Sequence, residues 1–155
     1  MELHENYYKK AVSSFKTADH LTYVTFPVVN DYKIILTALE NVNNALINGM
    51  NAVLEYERLY KRVMPLADNF NSRFEVFKRM FEKYGFSNDE AMLMMELKKF
   101  LEERKNASLE FTRSNRVVIC YGNYKTKSVS LDDVKKYLSI TKSFIFKVNK
   151  VLKNA

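Results

Sequence analysis

A four-three alternation of apolar positions, sustained over four heptads, constrains this chain more than any other feature. Ile35, Leu39, Val42, Leu46, Gly49, Val53, Tyr56, Tyr60 and Val63 follow it, and a helix puts residues so spaced on one face. A second row runs beside the first at intervals of seven: Ala38, Ala45, Ala52 and then Leu59. Together the rows cover roughly a third to a half of a helix circumference, which places the element at the centre of a helical bundle. Small side chains, Gly49 among them, let another helix approach closely. The predicted helix spans 28–63, with Asn43, Asn44, Asn48 and Asn51 as half-exposed neighbours of the seam.

The segments on either side read as further helices. Tyr8, Ala11, Phe15, Ala18 and Thr22 share a face over residues 2–24, and Phe26-Pro27 interrupts that helix because proline disfavours helical geometry at the residue before it. Pro65 ends the second helix or opens the third. From 66 to 84, Leu66, Phe70, Phe74, Phe77, Phe81 and Tyr84 form an aromatic face, with Gly85 placed as a C-terminal cap. Ser87-Asn88-Asp89-Glu90 has the form of a capping box and starts a helix reaching to about Glu110. Met92, Met94 and Met95 in that helix are expected as gap-filling core rather than an adaptable binding surface.

The helical pattern breaks between Arg116 and Val129. A β-branched run, Val117-Val118-Ile119-Cys120-Tyr121, precedes Gly122-Asn123 and a second short run to Val129. This predicts a β-hairpin; the rival is a helix continuing through Val117–Cys120 before a loop. Ser130-Leu131-Asp132-Asp133 caps a last helix with acidic residues in its first turn. Val134, Tyr137, Thr141, Phe144, Val148 and Val151 line its face, Leu138, Ile145 and Leu152 lie beside it, and its lysines are expected to form a solvated surface. The fold class is all-α: an antiparallel bundle of about five helices, with a short β-hairpin at about 116–129 before the last. No repeat, low-complexity tract or linker divides residues 1–155, so one domain is expected.

Charge is distributed unevenly. The net charge of +7 over 155 residues separates into 11 basic and 13 acidic side chains in residues 1–97, and 14 basic and 5 acidic in residues 98–155. Such asymmetry points to an acidic partner such as nucleic acid or an anionic surface. A single cysteine, Cys120, excludes an internal disulfide, and only two histidines make an all-protein zinc site improbable. Residues 1–10 lack the pattern of a signal peptide, and the longest charge-free stretch, Asn41 to Leu54, is Asn-rich and too short to span a bilayer. A cytoplasmic protein without a membrane partner is expected.

Catalytic templates are missing: neither a phosphate-binding loop, nor a dinucleotide fingerprint, nor H-E-x-x-H occurs. His4 reads as a surface residue at a helix start, His20 as a favourable cation near a helix end, and Cys120 as a buried small hydrophobe. One constellation combines cations with aromatic rings: Phe111-Thr112-Arg113-Ser114-Asn115-Arg116, then Tyr121, Tyr124, Lys125 and Lys127. Arg113, Arg116, Tyr121, Tyr124, Lys125 and Lys127 are therefore the candidate binding residues, since cations beside rings hold phosphates while bases stack. In the plainer reading the same cations solvate a hairpin edge and discourage aggregation.

The Ala row at Ala38, Ala45 and Ala52, with Arg113-Ser114-Asn115-Arg116-Val117-Val118-Ile119-Cys120-Tyr121 leading to Leu131–Phe144, resembles the layout of the HEPN superfamily. That family has an Ala-rich second helix in a bundle of four or five, and an Arg that precedes His by four to six positions before the last helix. Here five positions beyond Arg116 stands Tyr121, and no histidine follows His20. Tyrosine, with an unperturbed pKa of about 10, is a poor base at neutral pH. The resemblance thus implies a relative without ribonuclease activity, with only Arg116 and Tyr121 at the motif's positions. The expectation is a non-catalytic interaction module with no cofactor and no metal, partnered by another protein or by itself as a homodimer through the second helix or the aromatic third segment. The alternative is an RNA- or nucleotide-binding protein using the basic C-terminal third; a ribonuclease with Tyr121 replacing His is a third.

Overall fold

The computed structural model describes residues 2–113 and 115–153; Ser114, part of the cation-aromatic constellation, lies outside the described residues. The chain is mainly helical. Its elements are α1 (Leu3–His20), a π-helical turn (Leu21–Thr25), α2 (Phe26–Val29), α3 (Lys33–Leu59), α4 (Phe70–Lys78), α5 (Phe81–Tyr84), α6 (Asn88–Lys105), strands β1 (Leu109–Arg113), β2 (Arg116–Tyr121) and β3 (Lys125–Ser130), and α7 (Leu131–Lys153).

The long seam forms the centre. Helix α3 packs along α1 most extensively and along α7 next. Ala38, Ala45 and Ala52 are 0–1% exposed, and Ala11 and Ala18 of α1 are fully buried. Small residues on both helices are what lets α1 and α3 run so close. The row foreseen as a self-associating surface is therefore buried within one chain. At Gly49 the same economy serves α7: a Cβ there would stand 2.6 Å from Phe144 Cε1. The Phe144 ring, fully buried, also meets Phe86 at 5.4 Å and Phe77 at 6.1 Å between centroids.

Several boundaries move for identifiable reasons. Pro27 does not stop the first helix, because a π-turn closed by Phe26 N–H to Leu21 O widens the helix just before it. Pro27 then falls in the first turn of α2, where a missing N–H costs nothing. The aromatic third segment divides into α4 and α5 at Arg79–Met80, after Asn69 caps α4 by accepting from Ser72 N at 2.9 Å. Phe74 and Phe77 are buried, so this face too is spent within the chain. Gly85 ends α5 with φ +75°, as a cap requires. The Ser87–Glu90 capping box forms, but α6 stops at Lys105, short of Glu110. Of its three methionines only Met94 is buried; Met92 and Met95 are half exposed.

The hairpin forms, and gains a third strand. Residues 109–113, expected to close or follow a helix, pair with β2 instead, giving an antiparallel sheet in the order β1-β2-β3. The register sets Arg116 opposite Ser130, Ile119 opposite Lys127 and Tyr121 opposite Lys125. Val117, Ile119 and Val129 are the buried residues of the sheet. Cys120, on the other face by strand alternation, is half-buried rather than buried. His4 also departs from its expected place: it is buried, its ring edge-on to Tyr56 at 5.6 Å. No helix among the described residues is long and apolar enough to cross a membrane.

The Gly49–Phe144 contact yields a direct expectation. Gly49→Ala gains about 1 kcal/mol of helix propensity, yet must displace a fully buried ring, at a cost of about 1–3 kcal/mol. Urea denaturation should show a net loss of stability; a variant at least as stable as the parent contradicts this packing.

Candidate functional site

The residues singled out in the sequence do not converge. Arg113 and Arg116 pair across the β1–β2 turn, while Tyr121, Tyr124 and Lys125 lie at the other end of the β2–β3 hairpin, about 17 Å away along β2. Arg116 is committed: Nε donates to Ser128 Oγ at 2.9 Å and Nη2 to Asp133 Oδ2 at 3.2 Å. Asp133 in turn closes the capping box of α7 with Ser130. Lys127 stands 2.9 Å from Glu103 Oε2 on α6, out of line for a hydrogen bond, so this shielded oxygen is held by charge. Lys125 and Tyr124 are exposed, Tyr124 completely. Each is placed, but no concave surface gathers them.

A different surface does gather cations and rings. It is a cleft of about 830 Å³ where the end of α3, α5 and the second half of α7 meet. From α3 come Tyr56 and the following Tyr60 and Arg62. Their placement follows from how α3 stops. Lys61 adopts φ +57°; Lys61 N–H bonds Arg58 O and Arg62 N–H bonds Glu57 O, both at 2.9 Å. This is the two-bond left-handed helix ending usually built on glycine. It swings Arg62 back over its own helix, where Nε donates to Glu57 Oε2 at 2.8 Å. The guanidinium rests 5.3 Å from the Tyr56 ring centre and 4.9 Å from that of Tyr60. The Glu57 bond, with a smaller contribution from Tyr56, raises the Arg62 pKa further, so it is permanently cationic.

Lys83 and Tyr84 enter from α5, beside Gly85. Lys83 reaches the second Glu57 oxygen at 3.4 Å and lies 4.9 Å from the Tyr84 ring centre. From α7 come Ser143, Phe146, Lys147 and Lys150. Lys147 donates to Glu90 Oε1 at 2.7 Å, while Ser87 N–H donates to Glu90 Oε2 at 2.9 Å. Both carboxylates are only 2% exposed. Lys150 has no carboxylate within 4 Å among the described residues and sits 5.9 Å from the Phe146 ring centre. Phe146 is 64% and Tyr60 51% exposed. The cleft thus has buried negative charge behind it, four cations on it, and two uncovered rings at hand.

Helix α7 carries both surfaces, about 24 Å apart from Leu131 to Lys147. The sequence does hold a trace of the cleft: Tyr60-Lys61-Arg62, Lys83-Tyr84 and Phe146-Lys147 each set a cation at or beside an aromatic. Three separate short stretches become one site only through the fold. Lys147, expected in a solvated row, is half-buried against Glu90, while Lys150 is exposed as expected and lines the cleft from there. No group of three or more metal-ligating side chains occurs among the described residues. Comparison with protein-family models, with curated proteins and with solved structures finds no match.

The buried pair separates supporting cations from available ones. Lys147→Met strands the Glu90 carboxylate and should destabilise the fold by about 3–5 kcal/mol. Lys150→Met should be nearly neutral. Chemical denaturation of both variants checks this; equal stabilities contradict it.

Proposed function

We propose that the protein is a non-catalytic binding module for RNA or nucleotide, with the cleft between α3, α5 and α7 as its binding site. The observation that carries this reading is the presence of Arg62, Lys83, Lys147 and Lys150 on one concave surface with the exposed rings of Tyr60 and Phe146. Cations attract phosphates and rings accept stacked bases, which is how single-stranded nucleic acid is held without sequence readout. The two buried carboxylates orient Arg62, Lys83 and Lys147 while leaving the cleft with a net charge of +2. Two of the four cations and one ring come from the basic C-terminal third, so its charge excess is part of the site. The HEPN-like motif positions, Arg116 and Tyr121, have no part in this reading.

One observation favours a second reading, self-association. Every residue of β1 is exposed, including Leu109 and Phe111, and β1 is an edge strand. An unpaired edge is a template for another strand. Light scattering of the parent and of Phe111→Lys tests it: a dimer abolished by the substitution supports self-pairing, and a monomer at high concentration rejects it.

For the leading reading, a fluorescently labelled short single-stranded RNA should bind with an affinity that falls steeply with salt. Phe146→Ala should weaken binding by about 1–3 kcal/mol, roughly 5- to 150-fold, while Arg113→Ala leaves it unchanged. Absence of binding at low salt, or loss through Arg113 and not Phe146, contradicts the assignment.

A further inference from the structure

We infer that the cleft recognises a terminal phosphomonoester carried on a nucleotide, in preference to the internal phosphodiesters of a strand; this rests on the reading of the cleft as a nucleotide site.

Three features of the cleft lead there. The first is charge. Four cations over two buried carboxylates leave +2. A phosphomonoester carries about −1.5 to −2 at neutral pH, whereas a diester group carries a single charge. The second is the number of uncommitted donors. Lys147 is bound to Glu90 at 2.7 Å, but Arg62 spends its Nε on Glu57 and keeps the rest of its planar fork. Lys83 reaches Glu57 only at 3.4 Å, and Lys150 has no carboxylate within 4 Å among the described residues. Three under-used cations face one space, and a terminal phosphate offers three acceptor oxygens where a diester offers two unbridged ones. The Arg62 fork is already fixed between two tyrosines and Glu57, so little side-chain freedom is lost on binding.

The third feature is extent. A cleft of about 830 Å³ has the size of a small-molecule site, not of a groove that tracks about 4–16 nucleotides. It holds an end. With the phosphate among Arg62, Lys83 and Lys150, the exposed Phe146 and Tyr60 rings flank the same space and are available to the attached base. The shared chemistry is that of a nucleotide bearing a monoester; a free nucleoside monophosphate and either end of an RNA strand are its sources.

Fluorescence anisotropy with one short single-stranded RNA in 5′-phosphate, 3′-phosphate and unphosphorylated forms tests this. At least one phosphorylated form should bind about tenfold or more tightly than the unphosphorylated strand, since an added charge-assisted bond is worth about that factor. The 5′ and 3′ arms identify which end is read, and competition by adenosine monophosphate shows whether the strand is needed. Lys150→Met should bring the forms to within about twofold, and Phe146→Ala should weaken all of them while retaining the preference. Equal binding of all three forms overturns the inference while leaving the cleft an RNA site. Failure of every form to bind overturns both. Competition by phosphotyrosine as strong as that by adenosine monophosphate overturns the requirement for a base and points to a phosphopeptide.

Discussion

The seating of the Phe144 ring on Gly49 is the contact on which the rest of the structure depends. With no Cβ at position 49, α7 comes against α3 closely enough for the ring to reach Phe77 and Phe86. The consequence extends about three turns beyond Gly49 and about two beyond Phe144. Tyr56 follows Gly49 on α3 and Tyr60 just past its end, and Phe146, Lys147 and Lys150 follow Phe144 on α7. Holding the helices together at Gly49 sets the width of the cleft beyond it, and α5 closes its third side.

The second constraint is electrostatic. Burying Glu57 and Glu90 removes two charges from water, a loss that is made good only if each carboxylate finds cations and hydrogen bonds. Glu90 finds Lys147 and the Ser87 N–H, and Glu57 finds Arg62 and Lys83. Arg62, Lys83 and Lys147 are thereby drawn inward and held at the cleft wall, while Lys150 has no such partner among the described residues. A buried carboxylate is thus a positioning device for the positive charge in front of it. The strained left-handed Lys61 belongs to the same arrangement, since that turn is what folds Arg62 back onto Glu57.

What was legible in the sequence was what period and capping dictate. The α3 seam from Ile35 to Tyr56, the Ser87 and Ser130 capping boxes, the Gly85 cap and the turn at Gly122 follow from local chemistry and occupy their expected places. The expected helix over 28–63, by contrast, runs only from Lys33 to Leu59 and leaves Tyr60 and Val63 beyond its end. Strand β1 was hidden because Leu109–Arg113 has little pattern of its own and is a strand by virtue of pairing with β2. The π-turn before Pro27 was hidden for a similar reason, as a register adjustment that no residue type announces. The cation-aromatic stretch at Arg113–Lys127 is dense in sequence but divided by the length of β2 and by ion pairs to Asp133 and Glu103. The cleft reverses this: its three short stretches are separated by about 20 and then about 60 positions, and only the packing of three helices brings them together. Density along a chain is a poor guide to a surface when strands carry neighbours apart.

Heteronuclear NMR mapping tests the central claim most directly, because it asks where on the molecule a ligand lands. On titration with a short 5′-phosphorylated RNA, amide shifts should change at Tyr60–Arg62, Lys83–Gly85 and Ser143–Val151, with Arg113–Lys127 silent. Changes centred on the β2–β3 hairpin, with the cleft unmoved, would contradict the account.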